Sequence, residues 1–360
     1  MALTLLIKPA SGACNLRCRY CFYREEVSLR CDGERGLMSR KTALSLMQSA
    51  FARAKDVCFA FQGGEPMLAG LPFFRWFTRT ARALCTGKGQ LSFTIQTNGV
   101  LMDEAWAEFF AEEGYLVGLS LDGPRDIHEK NRPESYDGAM RALSLLQNAG
   151  VQVNVLTVVT AQMAKRPEAV YAFLKKQGPL WQQFIPCMPP MESAEKMPWE
   201  LTGALWGSFL CRLFDLWYKD FTSGHPIPNR LFENWAGMLA GLPPEECGLS
   251  GTCAPQYVVE ADGAVYPCDF YCLDAWQLGS IRTDTLDSMD QKREALGFIS
   301  RSSKLSEECR KCRVYSLCRG GCPRYRDENG KNLLCSGYRT FFDYAGERLW
   351  QLSRRISYRT

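Results

Sequence analysis

The feature that most constrains this chain is the run Cys14-Asn15-Leu16-Arg17-Cys18-Arg19-Tyr20-Cys21, a C-x3-C-x2-C triplet just after an apolar, strand-like stretch, Leu3 to Ile7. Three thiolates this close together hold one polynuclear iron–sulfur cluster rather than three separate metals. A four-iron cubane is closed by four cysteines. Three therefore leave one iron without a protein ligand, open to a small molecule. A zinc site or three buried thiols are the plainer readings of a lone triplet.

Composition favours thiolate-bound metal. There are 17 cysteines, an odd number, beside two histidines. Disulfide scaffolds are usually short and secreted, whereas this chain has 360 residues and its N-terminus lacks the basic segment, apolar core and cleavage site of a secretory signal. With so few histidines, ordinary Cys/His zinc sites are scarce, although all-Cys zinc sites stay open. A net charge of +4 gives no footprint for nucleic acid. No apolar run reaches the length of a membrane span. Cytoplasmic location, no nucleic acid and no membrane are the expectations. Hydrophobic content of 46% supports a packed core and excludes disorder.

Residues 1–190 alternate strand and helix patterns. Strand candidates are 3–8, 57–62, 91–97, 116–121, 151–158 and 181–186, short runs rich in branched or aromatic residues. Helical stretches are expected at 39–54, with Ser39 as N-cap and Leu44, Met47 and Phe51 on one face, and at 71–85, 103–113, 137–149 and 166–177. Gly150 suits a helix C-terminus. This alternation predicts α/β with a parallel sheet. Prolines interrupt 191–246, a helical connector with helices at 201–220, carrying Leu205, Phe209, Leu213, Leu216 and Trp217, and at about 229–240. Asp262-Gly263 predicts a hairpin between 256–260 and 264–267. A cysteine-rich domain, 247–335, and a C-terminal helix, 336–360, complete the expected order.

Ligand-binding signals fall just after strand ends, where α/β folds place their sites. Gln62-Gly63-Gly64-Glu65-Pro66 follows the second strand; its glycines let backbone approach a ligand, and Glu65 can accept from an amine. Gln96-Thr97-Asn98-Gly99 and Ser120-Leu121-Asp122-Gly123 end the third and fourth strands and alone would be turns. The triplet followed by GGEP resembles the radical S-adenosylmethionine (SAM) superfamily. That resemblance implies a partial (β/α)6 barrel and SAM chelating the open iron. It assigns SAM contacts to Tyr20, Gly63, Gly64, Glu65, Ser120, Arg132 and Met188. His128 reads as a packing or surface histidine.

Eight of the nine cysteines from 247 onward are ligand candidates: Cys247, Cys253, Cys268, Cys309, Cys312, Cys318, Cys322 and Cys335. That is enough for two fully ligated four-iron clusters; paired zinc ribbons are the alternative. The spacing resembles the SPASM extension of radical SAM enzymes. The resemblance assigns Cys247, Cys253, Cys268 and Cys322 to one auxiliary cluster, and Cys309, Cys312, Cys318 and Cys335 to the other. Three [4Fe-4S] clusters in all are implied. The other six cysteines, at 31, 58, 85, 187, 211 and 272, read mostly as buried small hydrophobes, Cys272 lying near a ligand.

Leu6-Ile7-Lys8-Pro9-Ala10, Cys21-Phe22-Tyr23, Phe59–Pro66, Phe214–Tyr218 and Tyr266–Tyr271 are similar, in order, to segments of the anaerobic sulfatase-maturating enzymes. The gap from Cys322 to Cys335 and the prolines after Cys187 depart from that family's pattern. The family resemblance implies oxidation of a Cys or Ser residue in an unfolded sulfatase segment to Cα-formylglycine. A 5′-deoxyadenosyl radical would take hydrogen from Cβ, with Asp269 as proton acceptor and Tyr23 and Gln62 lining the site. It further implies an electron donor such as flavodoxin or ferredoxin, and a monomer. A peptide maturase that crosslinks or oxidises a ribosomal peptide, and a zinc-stabilised binding protein, are the competing readings.

Overall fold

The computed structural model describes residues 3–87, 89–191 and 196–357. The rest of the expected first domain, connector and terminal helix (1–2, 88, 192–195 and 358–360) lies outside the described residues. The chain forms two compact units.

The first unit comprises Met1–Leu121, Asn131–Asn154 and Pro255–Phe298. Four of its strands run parallel: β1 (Leu3–Ile7), β2 (Val57–Phe61), β3 (Leu91–Thr97) and β4 (Leu116–Ser120). Helices α1 (Phe22–Ser28), α2 (Arg40–Arg53), α3 (Leu71–Leu84) and α4 (Glu104–Glu112) lie between them in the chain. Beyond β1, the sheet gains β7 (Tyr257–Val259), which pairs parallel to β1 with Ile7 opposite Val259. β8 (Ala264–Tyr266) and β9 (Gly279–Ser280) follow antiparallel. The Asp262-Gly263 turn works as its sequence predicts: Gly263 adopts φ +98° and the Asp262 carboxylate accepts from the Ala264 N–H. The core is aromatic, with Phe59, Phe61, Phe74, Phe77, Phe93 and Tyr115 buried and their rings in contact. Burial of each such ring contributes about 1.5–3 kcal/mol.

The expected face of α2 is one position off. Ala43, Leu46, Met47 and Ala50 are buried, while Leu44 and Phe51 are half-buried. Two small alanines complete the packed stripe there, which a search for large apolar residues overlooks. Ser39 does cap the helix, accepting from the Thr42 N–H at 3.1 Å.

The second unit comprises Asp122–Lys130, Val155–Ala254 and Ile299–Thr360. β5 (Gln152–Val159) begins in the first unit and continues here, with β6 (Trp181–Pro186) beside it. α5 (Arg125–Asn131) and, in the first unit, α6 (Tyr136–Asn148) precede β5, with Gly150 at φ +72° just beyond α6; α7 (Pro167–Lys176) leads to β6. α8 (Gly203–Thr222), α9 (Arg230–Leu239) and the long α14 (Cys335–Ser357) pack together through Phe214, Phe232, Trp235 and Phe341. The buried stripe of α8 runs through Trp206, Phe209, Leu213, Phe214 and Trp217. Leu205 and Leu216, expected on that stripe, sit at its half-buried margins. The short helices α10 (Leu286–Ala295), which belongs to the first unit, α11 (Phe298–Ser302), α12 (Glu307–Arg310) and α13 (Tyr315–Cys318) carry too little periodicity to be read from sequence. Among the described residues, no helix is long and apolar enough to cross a membrane.

Candidate active site

The cysteine triplet occupies the loop between β1 and α1, and the GGEP loop after β2 is fastened to it. Gly64 N–H donates to Ser11 O at 2.9 Å and Glu65 N–H to Ala13 O at 2.8 Å. Glycine is required here for two reasons. Gly63 lies at φ +131°, and a Cβ on Gly64 would overlap the Ala13 carbonyl. Glu65 is buried, and its carboxylate accepts from the Met67 N–H, the Thr97 hydroxyl and the Asn98 N–H at 2.8–3.1 Å. Burial raises its pKa, and these donors work against that rise. Glu65 thus ties the second strand's loop to the third's.

Beside the Leu16 N–H, which donates to Cys14 Sγ at 3.4 Å, two side-chain donors point at triplet sulfurs. Asn98 Nδ2 donates to Cys14 Sγ at 3.8 Å and to Asn15 Oδ1 at 2.8 Å. Arg132 donates to Cys18 Sγ at 3.7 Å and lies over the Tyr20 ring, 5.3 Å from its centroid. Sulfurs surrounded by donors suit thiolates carrying cluster charge. Burial pushes the free Cys14 thiol up to about 11, so iron uptake there must release a proton. Ser120 is buried at the end of β4.

Asp269 directly follows Cys268 and is 8% exposed. Gln62 Nε2 donates to its Oδ2 at 2.6 Å, and the buried Lys8 ammonium pairs with its Oδ1. Lys8 also lies over the Tyr23 ring, 3.3 Å from the centroid. Burial disfavours the Lys8 charge, but neighbouring negative charge, foremost that of Asp269, outweighs it and holds the pKa well above the ordinary lysine range. The Tyr23 hydroxyl donates to Glu260, which pairs with Arg30 at 2.8 Å. Burial alone would raise the Glu260 pKa, yet Lys8 and Arg30 hold it below the usual range. Asp269, Gln62 and Tyr23 are therefore brought together, and Lys8, Arg30 and Glu260 join them. The only signal for Lys8 in the sequence is a cation ending an apolar strand, where a buried charge needs a partner.

In the second unit, Cys309, Cys312, Cys318 and Cys335 all line one partly open pocket, together with Asn332 and Tyr338. Burial pushes the Cys318 thiol up to about 12, with the charges of Cys335, Cys309 and Cys312 adding to the rise. Cys322 is likewise pushed up to about 12 by burial, with Cys247 and Cys253 contributing. These thiols surround space rather than converge on a point, and among the described residues no three His, Cys, Asp or Glu side chains are placed to hold a single metal ion. Cys268, expected with the Cys322 set, belongs to the first unit, and Met188 lies buried just beyond β6 in the second.

Of the six remaining cysteines, only Cys187 and Cys272 are fully buried. Cys58, Cys85 and Cys211 are half-buried, and Cys31 is exposed on the turn after α1, where its N–H donates to Asp274. The expectation of burial fails there because that turn follows the last apolar residue of a short helix. His128 is buried and structural, its Nδ1 accepting from the Asp122 N–H at 3.2 Å.

A triplet of thiols in the first strand's loop, on a parallel α/β sheet, is what a radical SAM core needs, and residues 9–174 match the radical SAM superfamily. Residues 253–313 match SPASM, an iron–sulfur cluster-binding domain. A partial (β/α)6 barrel with an appended cluster domain is thus the class of this enzyme, and it carries a [4Fe-4S] cluster and SAM. The cysteine-type anaerobic sulfatase-maturating enzyme of Clostridium perfringens is 40% identical, over 98% of this chain and 99% of that protein. The serine-type enzyme of Klebsiella pneumoniae is 32% identical over 94% and 86%. A solved structure, native anSMEcpe with bound AdoMet and Cp18Cys peptide, superposes with a TM-score of 0.92 at 39% identity, over 99% of this chain and all of that one. SuiB of Streptococcus suis, 16% identical with a TM-score of 0.62 over 92% and 74%, shares the fold. The chain belongs to the anaerobic sulfatase-maturating enzymes.

Proposed function

We propose that this enzyme oxidises a Cys or Ser residue in an extended sulfatase segment to Cα-formylglycine. Cys14, Cys18 and Cys21 hold the SAM cluster. Tyr20, Gly63, Gly64, Glu65, Ser120, Arg132 and Met188 hold SAM. Two further [4Fe-4S] clusters take the two auxiliary sets, Cys247, Cys253, Cys268 and Cys322, and Cys309, Cys312, Cys318 and Cys335. With the cluster and SAM bound, the site gains a radical able to take hydrogen from the target Cβ.

The observation that carries the proposal is the clamped carboxylate of Asp269. Lys8 and Gln62 each hold one of its oxygens, so the group faces the target in one orientation. An ionised carboxylate is a competent acceptor for a thiol or hydroxyl proton at neutral pH. Tyr23 and Gln62 line the site around it, and Tyr23 is held by its hydrogen bond to Glu260, which in turn pairs with Arg30. The segment must be extended, since a folded sulfatase would bury the residue to be oxidised. The domain order 1–190, 191–246, 247–335 and 336–360, a cytoplasmic monomer and a flavodoxin or ferredoxin donor complete the proposal.

Asp269→Asn tests it, using Cys-x-Pro-x-Arg and Ser-x-Pro-x-Arg peptides under anaerobic turnover. SAM cleavage should persist while aldehyde product, read by mass spectrometry, falls at least tenfold. An undiminished aldehyde yield would remove Asp269 from the reaction.

A further inference from the structure

Between the two auxiliary ligand sets the chain runs Cys318-Arg319-Gly320-Gly321-Cys322, so one short segment ends in a ligand of each. Its backbone is unusual. Arg319, Gly320 and Gly321 are successively left-handed, at φ +48°, +80° and +65°. A Cβ on Gly320 would run into Leu305, and one on Gly321 into Asn332. A segment this irregular keeps its shape only if its carbonyls are held.

They are held by one guanidinium. Arg326 Nε donates to Gly320 O at 3.0 Å, and its Nη2 to Gly321 O at 2.6 Å. The Nη1 of the same side chain donates to Ser302 O at 2.5 Å and Lys304 O at 3.2 Å. Four carbonyls on one planar fork is a contact set that only arginine can make. Each end leads to a ligand. Ser302 Oγ accepts from the Cys253 N–H at 2.8 Å, which anchors the set containing Cys322. Asn332 Nδ2 donates to Gly320 O at 3.2 Å, and Asn332 O accepts from the Cys335 N–H at 3.0 Å, which anchors the other set. The charge acts on both sets too. Burial draws the Arg326 pKa below its ordinary value, while Cys322, Cys253, Cys309 and Cys318 all oppose that fall.

We infer that Arg326 is a positioning residue shared by both auxiliary clusters, fixing the segment that joins them and placing one positive charge near each. The inference rests on the three-cluster reading above. A fixed positive charge stabilises the more negative, reduced form of a cluster, so it raises the midpoint potential. One side chain would thereby set the two potentials together.

The test uses the full chain, reconstituted without oxygen, with iron analysis and potentiometric titration followed by electron paramagnetic resonance. The natural chain should hold about twelve irons; about four would overturn the three-cluster reading and this inference with it. In Arg326→Gln, both auxiliary midpoints should shift downward while that of the SAM cluster stays put. Loss of about eight irons, the complement of both auxiliary sets, would equally support a shared role. A change confined to one set, or no change in either, would overturn it. Arg326→Lys keeps the charge without the fork. With auxiliary iron complete it should recover part of the potential shift, and no recovery would overturn the electrostatic half of the inference.

Discussion

Asn98 shows how much a single side chain can contribute to a metal centre without ligating it. Its amide reaches both Cys14 Sγ and the Asn15 side chain, so it orients the ligand loop and donates to a thiolate. Donors to sulfur stabilise the reduced cluster. Asn98→Ala should therefore lower the midpoint potential of the SAM cluster while iron content is retained, as read by potentiometric titration. In the sequence, Asn98 belongs to a Gln-Thr-Asn-Gly run that reads as a turn, and it is one: Asn98 Oδ1 accepts from the Val100 N–H. Its second task was invisible because nothing local says which loop lies opposite. The cysteine groups stand out in the sequence for the opposite reason. Metal ligands need fixed short spacings along the chain, whereas a lone lysine such as Lys8 or a lone asparagine carries no spacing at all.

In the second unit, α8 and α14 approach each other closely at their glycines. A Cβ built on Gly207 would lie 2.9 Å from Gly337 Cα, and one on Gly337 would meet the backbone of Gly203 and Gly207. Glycine on both helices lets their backbones touch two residues after Cys335, the first residue of α14. Gly337→Ala should cost about 1–3 kcal/mol through overpacking, measured by denaturant unfolding of the loaded protein. On α9, burial raises the Glu233 pKa to about 7, with Glu245 adding to the rise. A carboxyl whose pKa is higher folded than unfolded contributes fully below the unfolded value, and that contribution is lost as pH climbs through the folded one. Glu233→Gln should thus raise the melting temperature at pH 8 and leave it unchanged at pH 4. Helices with long apolar stripes were readable from the sequence, while those of four or five residues, such as α12 and α13, have no period to detect.

For the molecule as a whole, the eleven cysteines proposed as ligands are unevenly shared. Seven of the eleven lie in the second unit, most of them on short helices and turns rather than on the sheet. The stretch 303–335 has few buried apolar residues of its own, so on the proposed reading metal supplies much of its order. Stripping iron with a chelator should raise amide hydrogen exchange far more across 303–335 than across β1 to β4, measured by mass spectrometry. The six parallel strand candidates were placed within about a residue because their apolar runs are local signals. That the hairpin after Pro255 would join the same sheet was not readable, since pairing across some 250 residues leaves no trace in periodicity. This last arrangement has a bearing on biosynthesis. A ribosome adding 5–20 residues per second leaves roughly 10–50 s between the appearance of β1 and of the strand that flanks it. Throughout that time the nascent chain presents a bare strand border beside thiols still waiting for iron, so chaperone occupancy and metal delivery compete for the same stretch of polypeptide.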